Sequence, residues 1–115
     1  MKTISRLLYG THPKTTSIKD RTVRIVKLLK ESGGRLDAKE LETKIGISRI
    51  ESPSMFYKPL AALKAWDLVQ SHKKVEIDIA GKRQFRTTYE LTPELFLRYI
   101  QKTLLEKCKT ELDMI

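Results

Sequence analysis

The chain has 115 residues, enough for one compact core and too few for two independent domains. Twenty-three Lys and Arg against 14 Asp and Glu leave a net charge of +9, which favours a polyanionic partner such as nucleic acid. A single cysteine, Cys108, excludes an internal disulfide, and His12, His72 and Cys108 lack metal-ligand spacing. With no Gly-rich phosphate loop and no paired nucleophile and base, neither a cofactor nor catalysis is expected. MKTISRLLYG lacks the apolar run of a signal peptide, and no segment approaches the roughly 20 apolar residues of a membrane span. A soluble cytoplasmic protein with no membrane partner is expected, associated with the nucleoid if the polyanion is DNA.

The charge is uneven. Residues 1–30 carry Lys2, Arg6, Lys14, Lys19, Arg21, Arg24, Lys27 and Lys30 against Asp20 alone, whereas residues 31–60 and 91–115 each balance to zero. Residues 1–16, with Gly10, Pro13 and a TTS run, read as a basic N-terminal arm, in which Ile4–Tyr9 can form a short helix.

Ser17 is placed to cap a first helix over about 18–32, with Ile18, Thr22, Ile25, Val26 and Leu29 at helical spacing and Gly33-Gly34 as the stop. Asp37 and Glu40 form a capping-box pattern for a second helix, in which Leu41 and Ile45 supply the buried face. Gly46 suits the left-handed position after it, with Ile47 folding back on Leu41 in a Schellman turn.

In SPSMFYKPLAALKAWDLV (Ser52–Val69), Phe56, Leu60 and Leu63 fall on one helical face and Ser54, Tyr57, Lys58, Ala61 and Lys64 on the other. Pro59 sits inside that helix at a cost on the order of 3 kcal/mol, which predicts a kink or a break near Lys58. Ser52 and Pro53 suit the cap and first position.

Beyond Val69 the period becomes two. Val75, Ile77 and Ile79 alternate with polar residues, as do Phe85, Thr87, Tyr89 and Leu91, and AGKR supplies a turn. This is a two-stranded hairpin with a basic tip at Gly81, Lys82 and Arg83. Thr92 and Pro93 open a last helix to about Leu112, whose apolar residues cover more than one narrow stripe. Trp66 reads as core or interface, and Cys108 as a small apolar residue.

The order helix, helix, helix, hairpin, helix resembles the winged helix-turn-helix family. Three patterns carry the resemblance. LETKIGIS (Leu41–Ser48) is similar to that family's second helix and turn, LAALKAWDLV (Leu60–Val69) to a recognition helix entering the wing, and YELTPE (Tyr89–Glu94) to the strand returning into the C-terminal helix. Tyr57, Pro59 and the long last helix look closest to PadR-like and MarR-like regulators. Two departures are visible: RIESPS (Arg49–Ser54) lengthens the entry to the recognition helix, and Asp67 stands where a glycine is common. The expected fold is mainly α with a small β-hairpin (α+β): an arm at 1–16, a winged helix-turn-helix domain at 17–92 and a C-terminal dimerisation helix at 93–115.

The resemblance implies a double-stranded DNA-binding homodimer, most simply a transcriptional regulator, with its recognition helix in the major groove and its wing on the backbone or minor groove. The residues expected to contact DNA are Arg49, Ser52, Ser54, Tyr57, Lys58 and Lys64 at the recognition helix, and Lys73, Lys74, Lys82, Arg83 and Arg86 in the wing. Glu76 and Asp78 leave open that Arg86 is spent on cross-strand ion pairs. Ile100, Leu104, Cys108 and Leu112, at steps of four, are the expected dimer interface. Two alternatives stand beside this reading: an architectural or plasmid-partition protein that coats DNA, and a winged-helix protein-interaction module.

Overall fold

The computed structural model, which describes residues 1–115, is an α+β fold. Its elements are α1 (Lys2–Tyr9), a 3-10 turn at Pro13–Thr15, α2 (Thr16–Glu31), β1 (Arg35–Asp37), α3 (Ala38–Ile45) and α4 (Pro53–Ala65). They continue as β2 (Val69–Ile77), β3 (Arg83–Leu91), α5 (Pro93–Arg98), a π-helical turn at Tyr99–Leu104 and α6 (Leu105–Asp113). No helix is long and apolar enough to cross a membrane.

The core is drawn from the apolar faces expected to point inward. Ile25 and Leu29 of α2, Leu41 and Ile45 of α3, and Phe56, Leu60 and Leu63 of α4 are all buried. Leu36, Leu68, Val69 and Tyr89 close that cluster from the sheet, and Phe96 closes it from α5.

Three helices end in left-handed turns that satisfy their last carbonyls. After α2, Gly34 N–H donates to Leu29 O (2.8 Å), with Gly33 at φ 76°. After α4, Leu68 N–H donates to Leu63 O and Asp67 N–H to Lys64 O, a complete Schellman turn in which Asp67 holds φ 57°. Asp67 thus adopts the conformation that glycine takes without strain, and aspartate is among the few other residues that tolerate it.

After α3 the turn is simpler than expected. Gly46 N–H donates to Glu42 O at 3.0 Å, a single bond. Ile47 packs against the core cluster. Arg24 reaches across from α2 to donate to the Ile45 carbonyl at 2.9 Å, satisfying one of the last carbonyls of α3.

Several expectations are corrected. The N-terminal segment is no free arm: α1 buries Ser5, lays Ile4 and Leu8 on the core and hydrogen-bonds through Tyr9 Oη to Thr22 Oγ1 at 2.7 Å. Thr22 in turn donates to Ile18 O, so its buried hydroxyl is satisfied on both sides. Burial raises the pKa of Tyr9, which the Thr22 contact partly offsets.

Ser17 does not cap α2. The 3-10 turn at Pro13–Thr15 runs straight into the helix, and Ser17 Oγ instead accepts from Arg21. Neither Ser52 nor Thr92 caps with its side chain. Thr92 Oγ1 donates to Asp67 O (2.8 Å) and its N–H to Leu68 O (2.7 Å), which ties the start of α5 to the turn after α4.

Of the kink or break predicted near Lys58, the break does not occur. Pro53–Ala65 is one helix with Pro59 inside it, and the Pro59 ring is among the fully buried side chains. Burial of that apolar ring against the core offsets part of the missing hydrogen bond. The sheet has three strands rather than two, in the order β1-β3-β2, because the short β1 pairs with β3 through Arg35↔Glu90, Leu36↔Tyr89 and Asp37↔Thr88.

The molecule is elongated. Its radius of gyration is 16.5 Å with a longest extent of 59 Å, against about 13 Å for a compact chain of this size. In the distal hairpin and α6 nearly every residue is exposed.

Candidate nucleic-acid interface

The outward face of α4 is built by the same periodicity that buries Phe56, Leu60 and Leu63. Ser54, Tyr57, Lys58, Ala61 and Lys64 are all exposed. No acidic residue lies within α4, and neither Lys58 nor Lys64 forms an ion pair. Tyr57 packs edge-on to Phe56, with ring centroids 5.0 Å apart. It keeps 44% of its surface exposed.

The long entry to α4 is an ordered turn. Ser48 Oγ accepts from the N–H groups of Ile50 (3.3 Å) and Glu51 (3.1 Å), and Ser52 N–H closes the turn onto Ser48 O at 2.9 Å. Arg49 is held by Glu42, whose Oε2 accepts from its backbone N–H at 2.6 Å and from its Nε at 3.3 Å. These contacts hold the Glu42 carboxyl below its ordinary pKa, the backbone bond most strongly. Ser52 is half-buried at the helix entry.

Along the hairpin the basic residues divide by face. In the register Lys73↔Thr87, Val75↔Phe85 and Ile77↔Arg83 share one face, continuous with the buried Val69 and Tyr89. His72↔Thr88, Lys74↔Arg86 and Glu76↔Gln84 share the other.

Arg86 is no free phosphate contact. Its Nε and Nη2 both donate to Asp37 Oδ2, the former at 3.1 Å, and Nη1 lies 3.7 Å from Glu76. Asp37 is the hub of this arrangement: it ends β1, and its other oxygen caps α3 by accepting from Glu40 N–H at 2.7 Å. The Glu40 bond, and then the Arg86 guanidinium, hold the Asp37 carboxyl below its usual range against the opposing effect of burial.

Lys73, Lys74, Lys82 and Arg83 form no ion pair. Asp78 forms no ion pair with them; its carboxylate organises the turn by accepting from Ala80 N–H (3.0 Å) and Lys82 N–H (2.8 Å).

An open groove of about 350 Å³ brings the turn before α4 and the hairpin together, its lining including Lys39, Arg49 and Arg86 with the acids Asp37 and Glu76. Lys39 was not among the expected site residues. Its only signal in the sequence was its place two residues after the capping Asp37. A second ionic cluster also had no sequence signal: Glu90 accepts from Arg35 at 2.7 Å and lies 3.5 Å from His72. Arg35 lowers the Glu90 pKa most.

At the C-terminus, Ile100 packs on the core, Leu104 is half-buried, and Cys108 and Leu112 are exposed. Leu97 and Leu105 are exposed as well, at 54% and 48%. Trp66 stacks edge-on to Tyr99 at 5.7 Å, which seats the π turn on the end of α4. In an α-helix a step of four overshoots a full turn by about 40°. The wider π turn makes the same step fall short of a full turn between Ile100 and Leu104, and Leu104 stays half-buried at the junction with α6. No protein-family model matches the chain, and no curated protein matches it.

Proposed function

We propose that the chain is a non-catalytic, winged helix-turn-helix DNA-binding protein that acts as a homodimer, most simply as a transcriptional regulator. In this reading α3 and α4 form the helix-turn-helix, α4 enters the major groove, and β2 and β3 form a wing on the backbone or minor groove. One observation carries it. The α4 face opposite Phe56, Leu60 and Leu63 is exposed throughout, free of acids, and holds Lys58 and Lys64 without ion-pair partners.

Two further features support the reading. Asp67 is left-handed where the family pattern has a glycine, and the unpaired cations Lys73, Lys74, Lys82 and Arg83 lie along the hairpin. The exposed Leu105, Cys108 and Leu112 of α6 favour a second copy, and the balanced charge of residues 91–115 poses no barrier to it. Arg49 and Arg86 then act as positioning residues, fixing the α4 entry and the hairpin through Glu42 and Asp37.

Anisotropy titration of a fluorescent duplex across a salt series tests the mechanism. Every cation withdrawn from a phosphate reduces the salt slope by roughly one, so K58A/K64A should lower it by about two and weaken binding at least about tenfold. Indifference to the double substitution would refute the role of α4. The mixed-charge groove around Arg49 and Arg86 favours a second reading, a protein-interaction module. That reading predicts no salt-dependent duplex affinity at all.

A further inference from the structure

We propose that the hairpin ends in an apolar wedge, Ile77 and Ile79 backed by Val75 and Phe85, that enters the minor groove of duplex DNA and bends it. The inference rests on the DNA-binding reading above. The four side chains are 72%, 109%, 53% and 72% exposed. Val75, Ile77 and Phe85 continue the face that carries Val69 and Tyr89 into the core, so the alternation of the strands outruns the helices that cover their root. Ile79 lies in the turn itself, beyond the last paired residue of β2.

Charge selects the occupant. Lys73 and Arg83 share the wedge face and Lys82 follows at the turn, none of them in an ion pair. Of the nearby acids, Glu76 lies on the opposite face beside Arg86, and Asp78, which accepts from the N–H groups of its own turn, is outnumbered by Lys73, Lys82 and Arg83. An apolar edge rimmed by unpaired cations is complementary to apolar stacked bases lying between two rows of phosphates. The minor groove is only about 6 Å wide, so a two-stranded ribbon enters it only by widening it, and apolar side chains that part a base step bend the duplex away from themselves. A narrow projecting ribbon suits that task better than it suits a broad lipid surface.

The test is end-to-end energy transfer on a mixed-sequence duplex of about 30 base pairs, labelled at both ends, with the full-length chain. I77A/I79A replaces exposed side chains and should leave the fold intact, which circular dichroism verifies. The native chain should shorten the end-to-end distance by an amount matching a bend of roughly 20–90°. I77A/I79A should bind within about tenfold of native affinity with an unchanged salt slope, yet lose the bend. K82A/R83A should instead lower the slope by about two. A duplex bound straight by the native chain, or a bend that survives I77A/I79A, overturns the wedge and leaves the DNA-binding reading standing. Absence of duplex binding overturns both. Capture of anionic vesicles that I77A/I79A abolishes, with DNA bending unaffected, assigns the apolar tip to membranes and overturns the wedge.

Discussion

Tyr89 and Phe85 stand four residues apart on the same face of β3, yet Tyr89 is 5% exposed and Phe85 72%. Tyr89 meets Phe56 and the covering helices, with ring centroids 6.5 Å apart, whereas Phe85 lies beyond their reach. Alternation of apolar and polar residues therefore identifies a strand without telling how far a second layer extends over it. One face of one strand is packed into the core at its root and open to water at its end.

The sharpest way to break this contrast is to truncate both sides of it. Phe56→Ala, which removes a fully buried ring at the centre of the core, should cost about 3–5 kcal/mol in urea unfolding. A cost near zero would mean that the covering layer is not a packed core.

Between the two regions lies Asp37, the residue that joins them. Asp37→Ala removes the α3 cap and the anchor of Arg86, and should cost about 2 kcal/mol. The folded-state pKa of Asp37 is lowered from its ordinary 3.8. Its contribution is thus complete above the ordinary value and lost as pH falls through the lowered one. Acid unfolding followed by tryptophan fluorescence should show native stability dropping across that window, with D37A lacking that component.

The smallest effect is expected at the far end. Phe85→Ala should change unfolding free energy by less than about 0.5 kcal/mol, since the side chain is mostly in water before and after folding. A loss of several times that would place Phe85 in a stabilising contact and erase the contrast.

Features written in contiguous residues were legible. Asp37 caps α3, Gly46 ends it, and Phe56, Leu60 and Leu63 mark the buried face of α4. What escaped was decided at long range. The strand Arg35–Asp37 is too short to show a period and exists because Leu36 finds Tyr89. The fate of Arg86 was open among nearby acids, and its main partner is 49 residues away. Ser17, Ser52 and Thr92 are cap-forming types whose helices begin without their side chains: an adjoining turn sets the start of α2, and proline opens α4 and α5. At Pro59 the local pattern predicted a kink or a break, but the helix runs on and the ring is buried, which the sequence does not display.

The strand order β1-β3-β2 leaves β2 with a neighbour on one side only, so its other edge is unpaired from Val69 to Ile77. Such an edge is a template on which another copy can add its own strand, the first step toward aggregation. Lys73 and Lys74 stand in the middle of it, so joining two such edges in register brings four ammonium groups together. Repulsion among them opposes edge-to-edge pairing of two copies.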